Sequence, residues 1–374
     1  MGIVPRAAAE SAAGAAPREA WLTRLRLALI AWVVLYHLDL TLGVSAALPW
    51  LAPVLRVGYL GVDGFFLLSG FALWLGYAAR PPVGGAGIGR FLLRRISKIW
   101  PLHALALAGL AVLVALAAAS GVAIRDPERF EIDDFLLQLF LVNAWETTDR
   151  HAWNYPSWAL SAEWAGYLAF PWVLRAMLRL PRAMVPAVAL AAMLGLVALA
   201  ARSPGTGLNY TLHLGLLRFG LEFLLGLALG RMATEGRLRG AWALAGAAAL
   251  PAGLLLGQPA LVVAGLAACI VGLWLLGRAR PPARGAQADL ALRLGEASFG
   301  VYLCWIYVEA ALVALLRVVD PGLGGRIALM AGGLALNLFI GWLAWRYVEV
   351  PAQRWILGRR LPSPGTALPR TAND

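Results

Sequence analysis

The chain is short of charge, cysteine and histidine. Of its 374 residues only 14% are charged, against 61% hydrophobic, with 2 Cys and 4 His. So few cysteines exclude a disulfide framework and a thiolate metal site. Cys269 and Cys304 both fall inside apolar runs, where packing is their expected role. No G-x-S-x-G occurs, so the nucleophile elbow of a serine hydrolase is absent. No internal repeat stands out either, which counts against the inverted halves of a secondary transporter. The formal net charge of +12 could suit nucleic acid, but the arginines sit in short loops between apolar blocks. There they orient helices in a bilayer, and no nucleic-acid partner is expected.

What is present is a series of apolar blocks, each about twenty residues long, the length that crosses a hydrocarbon layer about 30 Å thick. The mean hydropathy is +0.72. These blocks predict an all-α, polytopic integral membrane protein with about ten transmembrane helices, over 23–44, 57–78, 100–119, 159–178, 183–201, 211–232, 240–256, 259–277, 294–317 and 326–348. With the N-terminus placed in the cytoplasm, most of the 32 Lys and Arg residues fall in inner segments, so both termini are expected to be cytoplasmic. Residues 1–22 are Ala-rich without a continuous apolar core, reading as a disordered cytoplasmic tail rather than a signal peptide. Residues 23–356 form the membrane domain, and 357–374 a second cytoplasmic tail.

Two loops do more than connect. Gly89 to Trp100, GRFLLRRISKIW, interleaves Arg and Lys with Phe, Leu and Ile ahead of Pro101. This is the pattern of a basic amphipathic helix at the inner surface, able to meet anionic lipids or a phosphorylated ligand. The outer loop 120–158 is rich in acids and holds an apolar piece, Phe135 to Val142, too short to span. A short or re-entrant helix is expected there.

Ionisable residues inside the apolar blocks mark functional positions, because burying them in hydrocarbon is costly. They are His37, Asp39, Asp63, Glu163, Arg218, Glu222 and Glu309. His37 and Asp63 each lie about six residues from the outer ends of the first two helices, at one level by helical rise. Glu163 and Arg218 fall near the outer ends of their helices, with Glu222 and Glu309 deeper, which implies a polar cavity in the outer half of the bundle. Arg218 and Glu222 are spaced i,i+4 and can neutralise each other. Asp39 points away from His37 on a helix. His103, His151 and His213 lie near helix ends or in loops and read as interfacial.

Six blocks in order carry a family resemblance: Arg26 followed after ten residues by His37; GVDGFFLLSGF at 61–71; FLLRRISKIWP ending at Pro101; SWALSAEWAGYLAFP from Ser157 to Pro171; SFGVYL at 298–303; and RYVEVP at 346–351. Together they resemble the membrane acyltransferase 3 family, bacterial integral-membrane O-acyltransferases. Three departures stand out: Lys98 where the family more often has Arg, Trp164 where a second acid is frequent, and Trp305 where a histidine is common.

The resemblance implies transfer of an acyl group, often acetyl, from cytoplasmic acyl-CoA to a hydroxyl on a sugar, glycan, lipid or secondary metabolite, as in polysaccharide O-acetylation at the inner membrane. It implies no metal and no permanently bound cofactor. On this reading His37 is the catalytic base, with Asp63 fixing its tautomer or, alternatively, His37 forming a covalent acyl intermediate. Arg26, Arg94, Arg95 and Lys98 would hold the CoA, and Glu163, Arg218 and Glu222 would face the acceptor. Membrane lipids are further partners, and a separate periplasmic transferase could complete the transfer. A proton-coupled transporter is the rival reading, since intramembrane acids and a histidine also build proton relays.

Overall fold

The computed structural model describes residues 20–121, 124, 126–202, 205, 207–279 and 289–360. Among the described residues there are helices and no strands. In chain order the helices are α1 (Ala20–Leu42), α2 (Gly61–Tyr77), α3 (Gly84–Ala119), α4 (Ile132–Leu139), α5 (Ser157–Arg179), α6 (Val185–Arg202) and α7 (Gly215–Thr234). They continue with α8 (Ala241–Leu256), α9 (Pro259–Ala279), α10 (Leu290–Glu296), α11 (Ser298–Leu316), α12 (Leu323–Ala344) and α13 (Val350–Arg360). A π-turn over Trp345–Glu349 joins the last two, and short helical turns fill 44–60.

Among the described residues, seven segments are long and apolar enough to cross a membrane: α1, Pro49–Tyr77 with α2, α3, Arg182–Arg202 with α6, α9, α11, and Leu323–Gly358 with α12. The other three expected spans are helical as well. α5 and α7 run for 23 and 20 residues but carry the polar side chains of the bundle interior, and α8 has only 16 residues. α1 begins at Ala20 and α13 ends at Arg360, so helix reaches into both segments read as tails. Residues 1–19 and 361–374 lie outside the described residues.

The basic segment and the third span are one helix of 36 residues rather than two. Pro101 lies inside it. A proline removes one backbone donor, and in a membrane helix packed on its neighbours that loss is absorbed without a break. The expected short helix in the outer loop is α4. Trp100 Nε1 donates to Leu139 O at 3.1 Å, and His103 Nε2 meets Gln138 O at 2.8 Å. By helical rise those α3 residues lie roughly 24–28 Å below its Ala119 end. The chain therefore turns back along α3, and it covers His103, which is fully buried rather than interfacial.

α2 is the helix on which the interior is assembled. A Cβ at Gly61 would run into the Leu29 carbonyl of α1, and one at Gly70 into the Phe223 carbonyl of α7. Gly226 of α7 meets the Leu67 carbonyl of α2 in the same way. Backbone-to-backbone approach of this kind needs glycine, and it sets Asp63 on α2 against Arg218 on α7. Asp39 does local work: its Oδ1 accepts from the Ser45 N–H at 2.7 Å, closing the turn after α1 where Gly43 has φ 65°.

The orientation is open to a direct test. In a background without native cysteines, a cysteine at position 126 is expected to react with a membrane-impermeant reagent in intact spheroplasts, and one at position 285 to react only after lysis. The reverse pattern would overturn the inside placement of the basic loops.

Candidate active site

The α1 N-terminus, the α2 C-terminus, the first half of α3 and α10 share one end of the bundle, which the basic loops mark. Below α2 a cavity of about 270 Å³ is lined by Tyr77, Arg80, Pro82, Arg90, Phe91 and Arg94 among others. No carboxylate pairs with these three arginines among the described residues. Arg95 lies behind the cavity. Its guanidinium stands 5.6, 5.5 and 5.7 Å from the rings of Tyr77, Phe91 and Tyr167, and Nη2 donates to the Tyr77 hydroxyl at 3.1 Å. Such a cage holds a cation in an apolar setting while leaving Nε without a partner.

Lys98, one turn on, has Arg26, Glu349, Arg95 and Glu163 as its electrostatic neighbours. Glu296 at the end of α10 faces Lys98 and Arg26. Thus Arg26, Arg95 and Lys98 gather at the basic end, whereas Arg94 turns outward to the cavity. Glu163 belongs to this group too. Its Oε1 accepts from Ser69 at 2.7 Å and from Tyr167 at 2.6 Å, and Tyr167 is the ring that covers Arg95.

Further along α1 is His37, half-buried. Its imidazole stacks on Trp305 of α11, with ring centroids 3.8 Å apart and planes at 19°. Tyr36 approaches edge-on at 4.9 Å. The Tyr155 hydroxyl lies 3.4 Å from His37 Nδ1. Asp63 is engaged elsewhere: Arg218 Nε donates to its Oδ1 at 3.2 Å, and Arg218 Nη2 donates to Oδ2. The expected His37–Asp63 pair is therefore replaced by an Asp63–Arg218 pair. A buried guanidinium demands a carboxylate, and the two-pronged fit satisfies both oxygens of Asp63 at once.

Arg218 Nη1 also donates to Tyr210 O at 2.9 Å, and Glu222 Oε1 stands 3.7 Å from Nε. The side chains of Asp63, Arg218 and Glu222 are each 0% exposed. Arg218 and Glu222, expected to face the acceptor, lie in a closed charge cluster that ties α7 to α2.

At the opposite end the outer loop is tied down by its own polar groups. His151 Nε2 lies 2.8 Å from the Thr211 hydroxyl, and His213 Nδ1 lies 2.8 Å from Glu146. The hydrogen bond to Glu146 raises the His213 pKa above its ordinary value. Among the described residues no group of His, Cys, Asp or Glu could hold a metal.

Sequence reasoning missed Tyr155, Tyr167 and the aromatic cage, and it noted Trp305 only as a departure. Tyr155 precedes the Ser157 block by two residues, in a loop whose path no periodicity reveals. Glu349 was in view within RYVEVP, but only the folded chain brings it to Lys98.

No solved structure matches the chain. A curated relative, "Acyltransferase MdmB" of Streptomyces mycarofaciens, is 30% identical over 343 residues, covering 83% of this chain and 84% of the relative. The family described as "Acyltransferase domain" matches residues 19–346, which takes in the basic group, His37 and the closed charge cluster. The chain belongs to that family, acyltransferase 3, and is a multi-pass membrane acyltransferase.

Proposed function

We propose that the protein moves an acyl group, acetyl on this reading, from cytoplasmic acyl-CoA to a hydroxyl of a sugar, glycan, lipid or small-molecule acceptor at the bacterial inner membrane. His37 is the general base. As the acceptor oxygen forms its bond to the thioester carbonyl carbon, His37 takes the hydroxyl proton. The carbon–sulfur bond then breaks, and the imidazolium returns that proton to the departing thiolate, so the reaction balances without another reactant.

One observation supports this reading above the others. Caged Arg95 and the Glu163 hub stand beside the arginine-lined cavity, and further along α1 from Arg26 is a histidine held by aromatic rings. Guanidinium groups recognise phosphates, and Arg26, Arg94, Arg95 and Lys98 are suited to the charged part of CoA. The flexible arm of CoA would carry the thioester inward, while the acceptor enters from the side of the outer loop. A separate periplasmic partner could receive the acyl group where the final acceptor is large.

Purified protein in detergent is expected to consume acetyl-CoA in the presence of an acceptor. Arg95→Ala should raise the KM for acetyl-CoA by about tenfold to a hundredfold, the loss of one charge-assisted interaction. Expression and thermal stability should hold near wild type if the residue binds donor rather than lipid. An unchanged KM with unchanged CoA binding would remove Arg95 from the donor site.

A further inference from the structure

Free imidazole prefers to carry its proton on Nε2, which is the wrong tautomer for a base that must accept a proton there. A histidine base therefore needs a partner that accepts a hydrogen bond from Nδ1–H. Asp63 does not fill that place, because both of its oxygens bind Arg218. Glu309, the other carboxylate near this part of α11, accepts from Thr41 at 3.3 Å.

We propose that Tyr155 is the positioning residue for His37: its phenolic oxygen accepts a hydrogen bond from Nδ1–H and so leaves the Nε2 lone pair free for the acceptor hydroxyl. This rests on the reading of His37 as the base. The contact distance is 3.4 Å, and the two rings lie edge to face with centroids 6.1 Å apart. Tyr155 also meets Trp305 edge to face at 5.3 Å and 82°. Trp305 sets the plane of the imidazole by stacking, and Tyr155 sets its rotation within that plane.

The loop carrying Tyr155 is built to hold this geometry. On one side Asn154 Nδ2 donates to Leu303 O at 3.3 Å, and on the other Tyr302 donates its hydroxyl to Pro156 O at 2.8 Å. Leu303 and Tyr302 belong to α11, the helix that also carries Trp305. One helix thus fixes both rings against His37. A neutral phenol in this position adds no charge to the apolar site, unlike the carboxylate of a hydrolase triad.

The test reads the tautomer itself. Protein labelled with ¹⁵N-histidine should show a pyrrole-like Nδ1 and a pyridine-like Nε2 for His37, assigned by difference against His37→Asn. Tyr155→Phe should move His37 towards the Nε2–H form and lower kcat by roughly tenfold to a hundredfold, with the KM for acetyl-CoA unchanged. 3-Fluorotyrosine at 155, which keeps the oxygen, should preserve the wild-type tautomer and most of the turnover. An Nε2–H tautomer in the wild type overturns the proposal, as does a Tyr155→Phe protein with unaltered spectrum and kcat. Should Tyr155→Phe fail to fold, the wild-type spectrum and the fluorotyrosine protein decide the matter. Full turnover by His37→Asn would instead defeat the reading of His37 as base, while the spectrum would still report whether Tyr155 sets its tautomer.

Discussion

Replacing His37 by alanine is expected to lower kcat by about 10²–10⁴-fold, the usual contribution of a positioned general base. Binding of acetyl-CoA should persist, because the donor groups Arg95 and Lys98 lie in a separate set of contacts at the basic end. Alanine also leaves a gap beside Trp305, on which the imidazole is stacked at 3.8 Å. His37→Asn serves as the control, since it keeps a polar side chain in that place without a usable base. The base assignment predicts a similar loss of turnover in both variants at nearly unchanged thermal stability. Lost activity that tracks lost stability across the two would point to packing, and wild-type turnover in either would end the assignment.

The second large effect is on folding. Arg218→Met removes the one cation from a cluster that holds two carboxylates, all with side chains 0% exposed. Removing one partner from such a group leaves uncompensated charge in the interior and costs about 3–5 kcal/mol. Its melting temperature in detergent should fall steeply, and Asp63→Asn should fall with it, because Asp63 makes the two-pronged contact. Glu222→Gln should behave differently. Glu222 is the farther carboxylate, 3.7 Å from Arg218 Nε, and both its oxygens lack hydrogen-bond partners. Making it neutral removes surplus negative charge from a closed site, so stability should stay level or rise. A melting temperature unchanged in Arg218→Met, or a steep fall in Glu222→Gln, would refute this account of the cluster.

Apolar blocks of membrane-spanning length announce helices directly, because in lipid every backbone group must be satisfied within its own segment. Within GVDGFFLLSGF the structure uses Gly61 and Gly70 for close contacts with α1 and α7. Pro101 misled, since a single missing donor does not end a helix whose neighbours hold it in place. Depth counting placed His37 and Asp63 at one level, but level does not decide pairing. Two groups equally far along their helices can still face different neighbours.

By itself, then, the sequence determined an all-helical membrane fold, a histidine set within its first helix and basic residues clustered between the apolar blocks. Each of these follows from local chemistry: hydrophobic length, the cost of a polar ring in hydrocarbon, and the bias of charge between loops. The tertiary structure decided who pairs with whom. Asp63 went to Arg218 because a buried guanidinium outcompetes an imidazole for a carboxylate, and Glu163 joined the Arg95 cage through Tyr167. Tyr155 reached His37 only because the outer loop turns back beside α3 and is clasped by α11. That return path depends on contacts between residues more than a hundred positions apart, such as Asn154 with Leu303, and no periodicity in the chain encodes them.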